Sequence, residues 1–250
     1  MKHKRVRILS KKIFNEKYVE LLLENRFDTV PEPGQFIHIL TGGAFMRRPI
    51  SIAECSQKKV KILFQIKGPG TKKLSEFSTG KEIDILGPLG NSFPSVEKHQ
   101  KVYLVAGGIG IAPLLFTADK LVQSGNNLKL LYGARTKNEL LDFLLPEGRY
   151  KKIISTDDGS IGKKANVVEI LKNEIFIEKP DIVFAAGPFA MLKNLGLLCN
   201  EYNIDAYVSL ENIMFCGLGV CQGCVVETTN GYQKVCKDGP VFDNRIIKWK

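Results

Sequence analysis

No run of roughly eighteen apolar residues, the minimum for a helix that crosses a bilayer, occurs anywhere in this 250-residue sequence. The opening MKHKRVRIL is basic and lacks the continuous apolar stretch of a secretory signal, so no membrane span is expected and the chain reads as cytoplasmic. Cysteine is scarce, six residues in all. In a reducing compartment these stay thiols, and a chain of this length that is 44% hydrophobic can bury a core without disulfide staples. Internal repeats and low-complexity segments are missing. So is any basic block interleaved with aromatics, which leaves the net charge of +10 as a Lys-rich solvated surface that attracts anionic ligands. No nucleic-acid partner is expected.

What little cysteine there is lies clustered. FCGLGVCQGC at 215–224 holds Cys216, Cys221 and Cys224, and Cys236 completes a C-x4-C-x2-C-x11-C pattern. The first three cysteines match the plant-type C-x4-C-x2-C part of a [2Fe-2S] motif. Gly217, Gly219 and Gly223 let the backbone curl so that N–H groups face an anionic cluster. VVETT and YQKVC flank Asn230-Gly231, a hairpin signal that returns Cys236 beside Cys224. A structural zinc site also accepts four thiolates, though it more often uses two separated CxxC knuckles, and unligated thiols are the remaining reading. Cys55 and Cys199 each stand alone in an apolar pattern and read as small core residues.

The grammar of the chain changes near residue 95. Before it, RVRIL, YVELLLE, QFIHIL, PISIAE, VKILFQI and EIDIL are six short β-rich runs separated by turns, which predicts a small antiparallel six-stranded barrel. After it, apolar strands alternate with helical patterns: KVYLVAGG with IAPLLFTADKLVQSG, LKLLYGA with KNELLDFLL, KKIIST with ANVVEILKN, and DIVFAAG with FAMLKNLGLLCNEY. That alternation predicts a parallel sheet covered on both faces, with AYVSL as its last strand. The expected class is β + α/β in three modules: a barrel over 1–97, a nucleotide-binding α/β domain over 98–210 and a cysteine-bearing C-terminal domain over 211–250.

Two glycine-rich turns end predicted strands. GGIGIAPLL at 107–115 is not the G-x-G-x-x-G fingerprint, but Gly107, Gly108 and Gly110 permit close backbone approach and the next helix offers its N-terminus to a pyrophosphate. AAGPFAM at 185–191 is the second, and in open parallel sheets such C-terminal edges gather ligands. In the barrel, RRPIS at 47–51 and GPGT at 68–71 offer an arginine, a hydroxyl and an anion-binding turn, although Arg47 and Arg48 read equally well as surface charges. Arg135, in YGART, reads either as a receiver for a 2′-phosphate or, more simply, as an exposed loop arginine.

A barrel with R-P-I-S and G-P-G-T, followed by GGIGIAP and AGP, resembles the ferredoxin-NADP reductase superfamily. FCGLGVCQGC with Cys236 narrows the resemblance to the electron-transfer subunits of class 1B dihydroorotate dehydrogenase. It covers nearly the whole chain, four motifs in order. The resemblance implies FAD in the barrel, with Arg48 on an FAD phosphate, Pro49, Ile50 and Ser51 in the flavin-contacting segment, Leu63, Phe64 and Gln65 along the flavin, and Gly70 and Thr71 around the pyrophosphate. Ile50 replaces an aromatic seen in many relatives. It implies NAD as co-substrate, with Gly107, Gly108, Gly110 and Pro113 in its loop and Gly187 and Pro188 near the nicotinamide; Ala186 stands where a cysteine often sits.

The implied partner is an FMN-containing dihydroorotate dehydrogenase catalytic subunit, in a heterotetramer of two of each, so this chain carries no catalytic residue for orotate formation. Electrons released in that step of pyrimidine biosynthesis would pass through [2Fe-2S] and FAD to NAD+. Ile213, Met214, Phe215 and Leu218 are candidate docking contacts, or equally well apolar residues packed within the chain, since a small cysteine-rich tail also needs a core. A reductase subunit of another NAD(P)-linked complex, of ferredoxin or hydrogenase type, is the alternative in the same class; a zinc-stapled binding module without redox activity is the alternative in another.

Overall fold

The structure is a computed structural model that describes residues 3–42, 46–145 and 148–249. Six strands, β1 (His3–Phe14), β2 (Tyr18–Glu24), β3 (Phe36–Ile39), β4 (Arg48–Cys55), β5 (Lys59–Gln65) and β6 (Glu82–Leu89), close an antiparallel barrel in the order β1-β2-β5-β4-β3-β6. Closure depends on β1. Its first half pairs with β6 and its second with β2, and the register shifts between Ile8 and Ser10, a bulge that bends one strand to serve two neighbours. Val6 and Ile8 point inward while Arg5 and Arg7 stay exposed, and Leu21, Ile37, Ile52 and Ile62 complete a fully buried aliphatic interior. Helix α1 (Pro69–Ser75) adds Leu74 to that core.

The second unit is a seven-stranded sheet. Its parallel strands are β7 (Lys101–Gly107), β8 (Asn127–Ala134), β9 (Lys151–Thr156), β10 (Lys163–Lys164), β11 (Ile182–Ala186) and β12 (Asp205–Ser209), in the order β10-β9-β8-β7-β11-β12. The chain builds outward from β7 on one side and then returns on the other, so the order reverses between β7 and β11. Crevices at such switch points are where open α/β sheets hold ligands. Helix α2 (Ile111–Gln123) packs on one face, α3 (Val167–Ile177) and α4 (Phe189–Glu201) on the other. Phe116 of α2 belongs to the barrel core, whereas Leu114, Ala118 and Leu121 belong to the sheet core. One helix therefore packs against both units.

One expectation is corrected. KNELLDFLL is not an α-helix but two single 3-10 turns, 137–139 and 142–144. Leu140, Leu141 and Leu145 turn into the core, the Leu141 N–H donates to Tyr132 Oη at 3.0 Å, and Pro146 disfavours helix in the residue before it. The tail makes contact with both other units. It forms the hairpin of β13 (Val225–Thr228) and β14 (Gly231–Lys234), and then β15 (Val241–Asp243) joins β12 as the one antiparallel member of the large sheet. Asn91, just past β6, clips this tail to the barrel: its amide donates to the carbonyls of Asp238 and Val241 at 3.0 and 2.8 Å and accepts from the Val241 N–H at 3.0 Å. Each such bond contributes about 1 kcal/mol net. Among the described residues no helix is long and apolar enough to cross a membrane.

Candidate functional site

The cysteine loop is shaped by the β13–β14 hairpin. Its strands pair from Val225↔Lys234 to Thr228↔Gly231, so Thr229 and Asn230 make the turn and Gly231 opens the return strand. The return brings the Cys236 N–H onto the Cys224 sulfur at 3.4 Å. Cys216 and Cys221 are likewise hydrogen-bonding neighbours, so the four sulfurs form two pairs. Among the described residues no group of three or more Cys, His, Asp or Glu side chains is placed to hold a single ion. Two thiolate pairs are the donor set that a two-iron cluster needs, one pair for each iron.

Backbone N–H groups converge on these sulfurs, Leu218 on Cys216 at 3.4 Å and Gly219 on Cys236 at 3.2 Å. Burial opposes ionisation of Cys216, but N–H groups of Cys221, Leu218 and Val220 outweigh it and bring the thiol down to about 6. Burial and the facing Cys224 sulfur push Cys236 up to about 12. Cys224 and Cys236 are buried while Cys221 is exposed, which turns the Cys216–Cys221 edge outward. Cys55 and Cys199 lie apart from the loop: Cys199 is buried among the α4 and sheet side chains, and Cys55 is half-buried beside the barrel core.

Behind the loop lies a residue that the sequence did not single out. His38, on β3, is fully buried with neither ring nitrogen hydrogen-bonded, and burial followed by the Arg47 charge lowers it to about 4. It backs Gly217, which has φ +69° and where a Cβ would come 2.5 Å from His38 Nδ1. A side chain there meets both a left-handed backbone and an occupied space. Gly217→Ala is expected to lower iron retention, with FAD content unchanged, by disturbing the loop at a cost of about 1–3 kcal/mol. His38→Ala in the same chain should restore part of it. Equal iron loss in single and double variants, measured by metal analysis, would show that His38 is not the obstacle.

Among the described residues, two adjoining cavities lie where the barrel meets the C-terminal edge of the sheet. The first, of about 220 Å³, is walled by Pro49, Ile50 and Ser51 of β4, by Leu63, Phe64 and Gln65 of β5, and by Thr71. The sequence-predicted barrel residues therefore converge, except Arg48 and Gly70, which are not among the residues that line the chamber. The Arg48 guanidinium lies over Gly70 so closely that a Cβ at Gly70 would collide with it. Arg48 donates to the Met46 carbonyl at 2.6 Å, and Thr71 Oγ1 accepts from the Lys67 and Gly68 N–H groups, closing the turn. Arg47 points elsewhere and pairs with Asp84 across the barrel at 2.6 Å. Pro113, assigned from sequence to the nucleotide loop, lines this first chamber. Met214, a predicted docking contact, also lines it and is 6% exposed, so it is removed from the docking set. Ile213, Phe215 and Leu218 remain exposed, joined by Val220.

The second cavity is a groove of about 630 Å³ along the C-terminal ends of β8, β7 and β11, a size suited to a small-molecule ligand. Gly107, Gly108, Gly110, Gly187 and Pro188 line it. The two glycine turns meet because β7 and β11 are adjacent, with Ala106 opposite Ala186. A Cβ at Gly110 would strike the Ala186 carbonyl, so this approach requires glycine. Gln65, Lys67, Ile109, Gly110, Gly187 and Glu211 border both cavities, which therefore adjoin. Sequence reasoning missed Lys67, Glu211 and Asp157. Glu211 and Asp157 follow the C-terminal ends of β12 and β9, and that placement was the available signal.

A barrel joined to a parallel nucleotide-type sheet, with both cavities at their junction, is the ferredoxin-reductase fold. A ferredoxin NADP+ reductase from Neisseria gonorrhoeae, solved with FAD and NADP, is similar in fold at a TM-score of 0.67 and 18% identity, covering 80% of this chain and 92% of that one. A structure described as NADH-dependent reduced ferredoxin-NADP oxidoreductase, solved in work on flavin-based electron bifurcation, matches 98% of this chain and 90% of its own at a TM-score of 0.88 and 31% identity. Residues 211–248 match the iron-sulfur cluster binding domain of dihydroorotate dehydrogenase B. The dihydroorotate dehydrogenase B (NAD(+)) electron transfer subunit of Caldanaerobacter subterraneus subsp. tengcongensis is 36% identical over 95% of each chain. That of Clostridium perfringens is 37% identical over 86% of this chain and 87% of its own. The chain belongs to the family of dihydroorotate dehydrogenase B electron transfer subunits.

Proposed function

We infer that this chain is the NAD-linked electron-transfer subunit of a dihydroorotate-oxidising complex, with an FAD barrel over 1–97, an NAD domain over 98–210 and a [2Fe-2S] domain over 211–250. The observation that carries it is Met214, which lines the barrel chamber two residues before Cys216, while the same chamber shares Gly110 and Gly187 with the groove. Cysteine loop, chamber and groove thus adjoin in series. When bound, a [2Fe-2S] cluster passes single electrons, NAD takes a hydride, and FAD converts between the two.

The residues of the chain hold these groups. Cys216, Cys221, Cys224 and Cys236 supply thiolates, and converging N–H groups stabilise their charge. Pro49, Ile50, Ser51, Leu63, Phe64 and Gln65 wall the flavin, and Arg48, drawn over Gly70, supplies positive charge at the phosphate turn. Gly107, Gly108, Gly110, Gly187 and Pro188 leave the sheet edge open to the dinucleotide. Ile213, Phe215, Leu218 and Val220 surround the exposed Cys221 edge and form the face for an FMN-containing catalytic subunit, in a cytoplasmic heterotetramer of two of each. Alone, the protein is expected to oxidise NADH with an artificial dye and not to oxidise dihydroorotate. Mixed with the catalytic subunit it should confer NAD+-dependent orotate formation. Failure to copurify with that subunit from native cells, together with no gain of NAD+-linked turnover on mixing, would favour a different complex.

A further inference from the structure

The groove has a polarity that fixes which end of a dinucleotide meets which residues. Its β11 end is shared with the barrel chamber through Gln65, Gly110, Gly187 and Glu211, so a nicotinamide that exchanges hydride with the flavin belongs there. The adenosine end then lies toward β8 and β9, where the lining side chains include Arg135, Glu139 and Asp157. Arg135 is the only cation lining this end among the described residues, and it is engaged: Nη2 donates to Glu139 Oε1 at 2.6 Å and Nε to Oε2 at 3.1 Å. Glu139 is in turn held from the barrel by Lys17 at 3.1 Å and is only 18% exposed. Around the whole groove two cations, Lys67 and Arg135, face three carboxylates, Glu139, Asp157 and Glu211. A chain with a net charge of +10 thus lines this groove with a carboxylate excess.

We propose that Glu139 is a specificity-determining residue that excludes a 2′-phosphate, by occupying the Arg135 fork, while Asp157 accepts a hydrogen bond from a free ribose 2′-hydroxyl. A phosphate dianion entering this end finds no unpaired guanidinium and meets two carboxylates. A bidentate Arg–carboxylate pair has a fixed geometry that a competing phosphate must first break. The pair is also anchored across the domain junction by Lys17, unlike an isolated surface bridge. The inference rests on the groove being the NAD site.

The test is calorimetric titration of the flavin- and cluster-loaded protein with ADP-ribose and with its 2′-phosphate, backed by kcat/KM for NADH and NADPH with a dye acceptor. The unaltered protein is expected to bind ADP-ribose at least about tenfold more tightly than the 2′-phosphate form. Glu139→Gln should narrow that ratio by about tenfold or more, through tighter binding of the 2′-phosphate, because a freed guanidinium makes charge-assisted bonds to phosphate. The double variant Glu139→Gln/Arg135→Ala should lose that gain. Asp157→Asn, at an exposed position, should narrow the ratio independently, which keeps the test open if Glu139→Gln folds poorly. An unchanged ratio in folded, flavin-replete Glu139→Gln protein overturns this inference alone. No binding of ADP-ribose to the unaltered protein overturns the assignment of the groove, and the inference with it.

Discussion

Cys236→Ser protein is expected to fall from about two irons per chain to near none, with loss of the reduced-state paramagnetic resonance signal. The residue is 3% exposed, faces the Cys224 sulfur and receives the Gly219 N–H, so a serine oxygen there is a poor soft-metal ligand in a site without room to rearrange. Cys221→Ser should lose iron too, although its exposed position leaves water as a substitute ligand. Cys55→Ser and Cys199→Ser should keep full iron, since both thiols lie outside the loop and burial pushes Cys199 up to about 12. In the assembled complex, cluster loss should abolish NAD+-linked orotate formation and spare most NADH–dye activity. Full iron in the Cys236→Ser protein would remove it from the ligand set. Normal coupled turnover by cluster-free protein would break the series of loop, chamber and groove.

The second large effect separates two adjacent arginines. Arg48→Ala should weaken FAD retention by about tenfold to a hundredfold, the worth of roughly 1.5–3 kcal/mol for a hydrogen bond to a charged group. Gly70→Ala should act in the same direction, because the new Cβ displaces the Arg48 guanidinium. Arg47→Ala should keep its flavin when FAD is supplied but melt at a lower temperature, since it breaks the pair with Asp84 and the bonds to the His38 and Asp84 carbonyls. Asp84 is opposed by burial but held below the usual carboxylate range by His3 and Arg47. Its contribution to stability is therefore complete above the unfolded carboxyl range and lost as pH falls through its lowered value, and that acid-side loss should shrink in Arg47→Ala. Flavin content by absorbance and melting as a function of pH separate the two roles. Equal FAD occupancy in Arg47→Ala and Arg48→Ala would remove Arg48 from the phosphate.

Short alternating or β-rich runs bounded by turns were sufficient to place all six barrel strands, and where a strand alternates, as at Val6 and Ile8, parity sets the side of the barrel. The same holds for the main strands of the sheet, whose apolar runs reflect burial on both faces. The failure at KNELLDFLL has an equally local cause: the apolar spacing suits a helix, but Tyr132 Oη takes the Leu141 N–H and the leucines fold under the sheet edge. Between the two readings of Met214, docking contact and internal packing, the structure decides for packing. In sequence it belongs to an apolar patch with Ile213 and Phe215; in space it turns inward while its neighbours turn outward. His38 carries no sequence signal, because its meaning depends on Gly217 approaching from about 180 residues away.

The sequence by itself determined the parts that local chemistry dictates: the strand and helix periods, the four spaced cysteines and the glycine turns, each set by residues close along the chain. Only the tertiary structure decided what those parts meet. It sorted the cysteines into two pairs, brought the Gly107 and Gly187 turns together at the β7–β11 reversal, carried β15 into the large sheet and tied Arg135 to Glu139 and Lys17. These are contacts between distant segments. Strand order, register and side-chain direction set them, and periodicity along one segment carries no information about which other segment will face it.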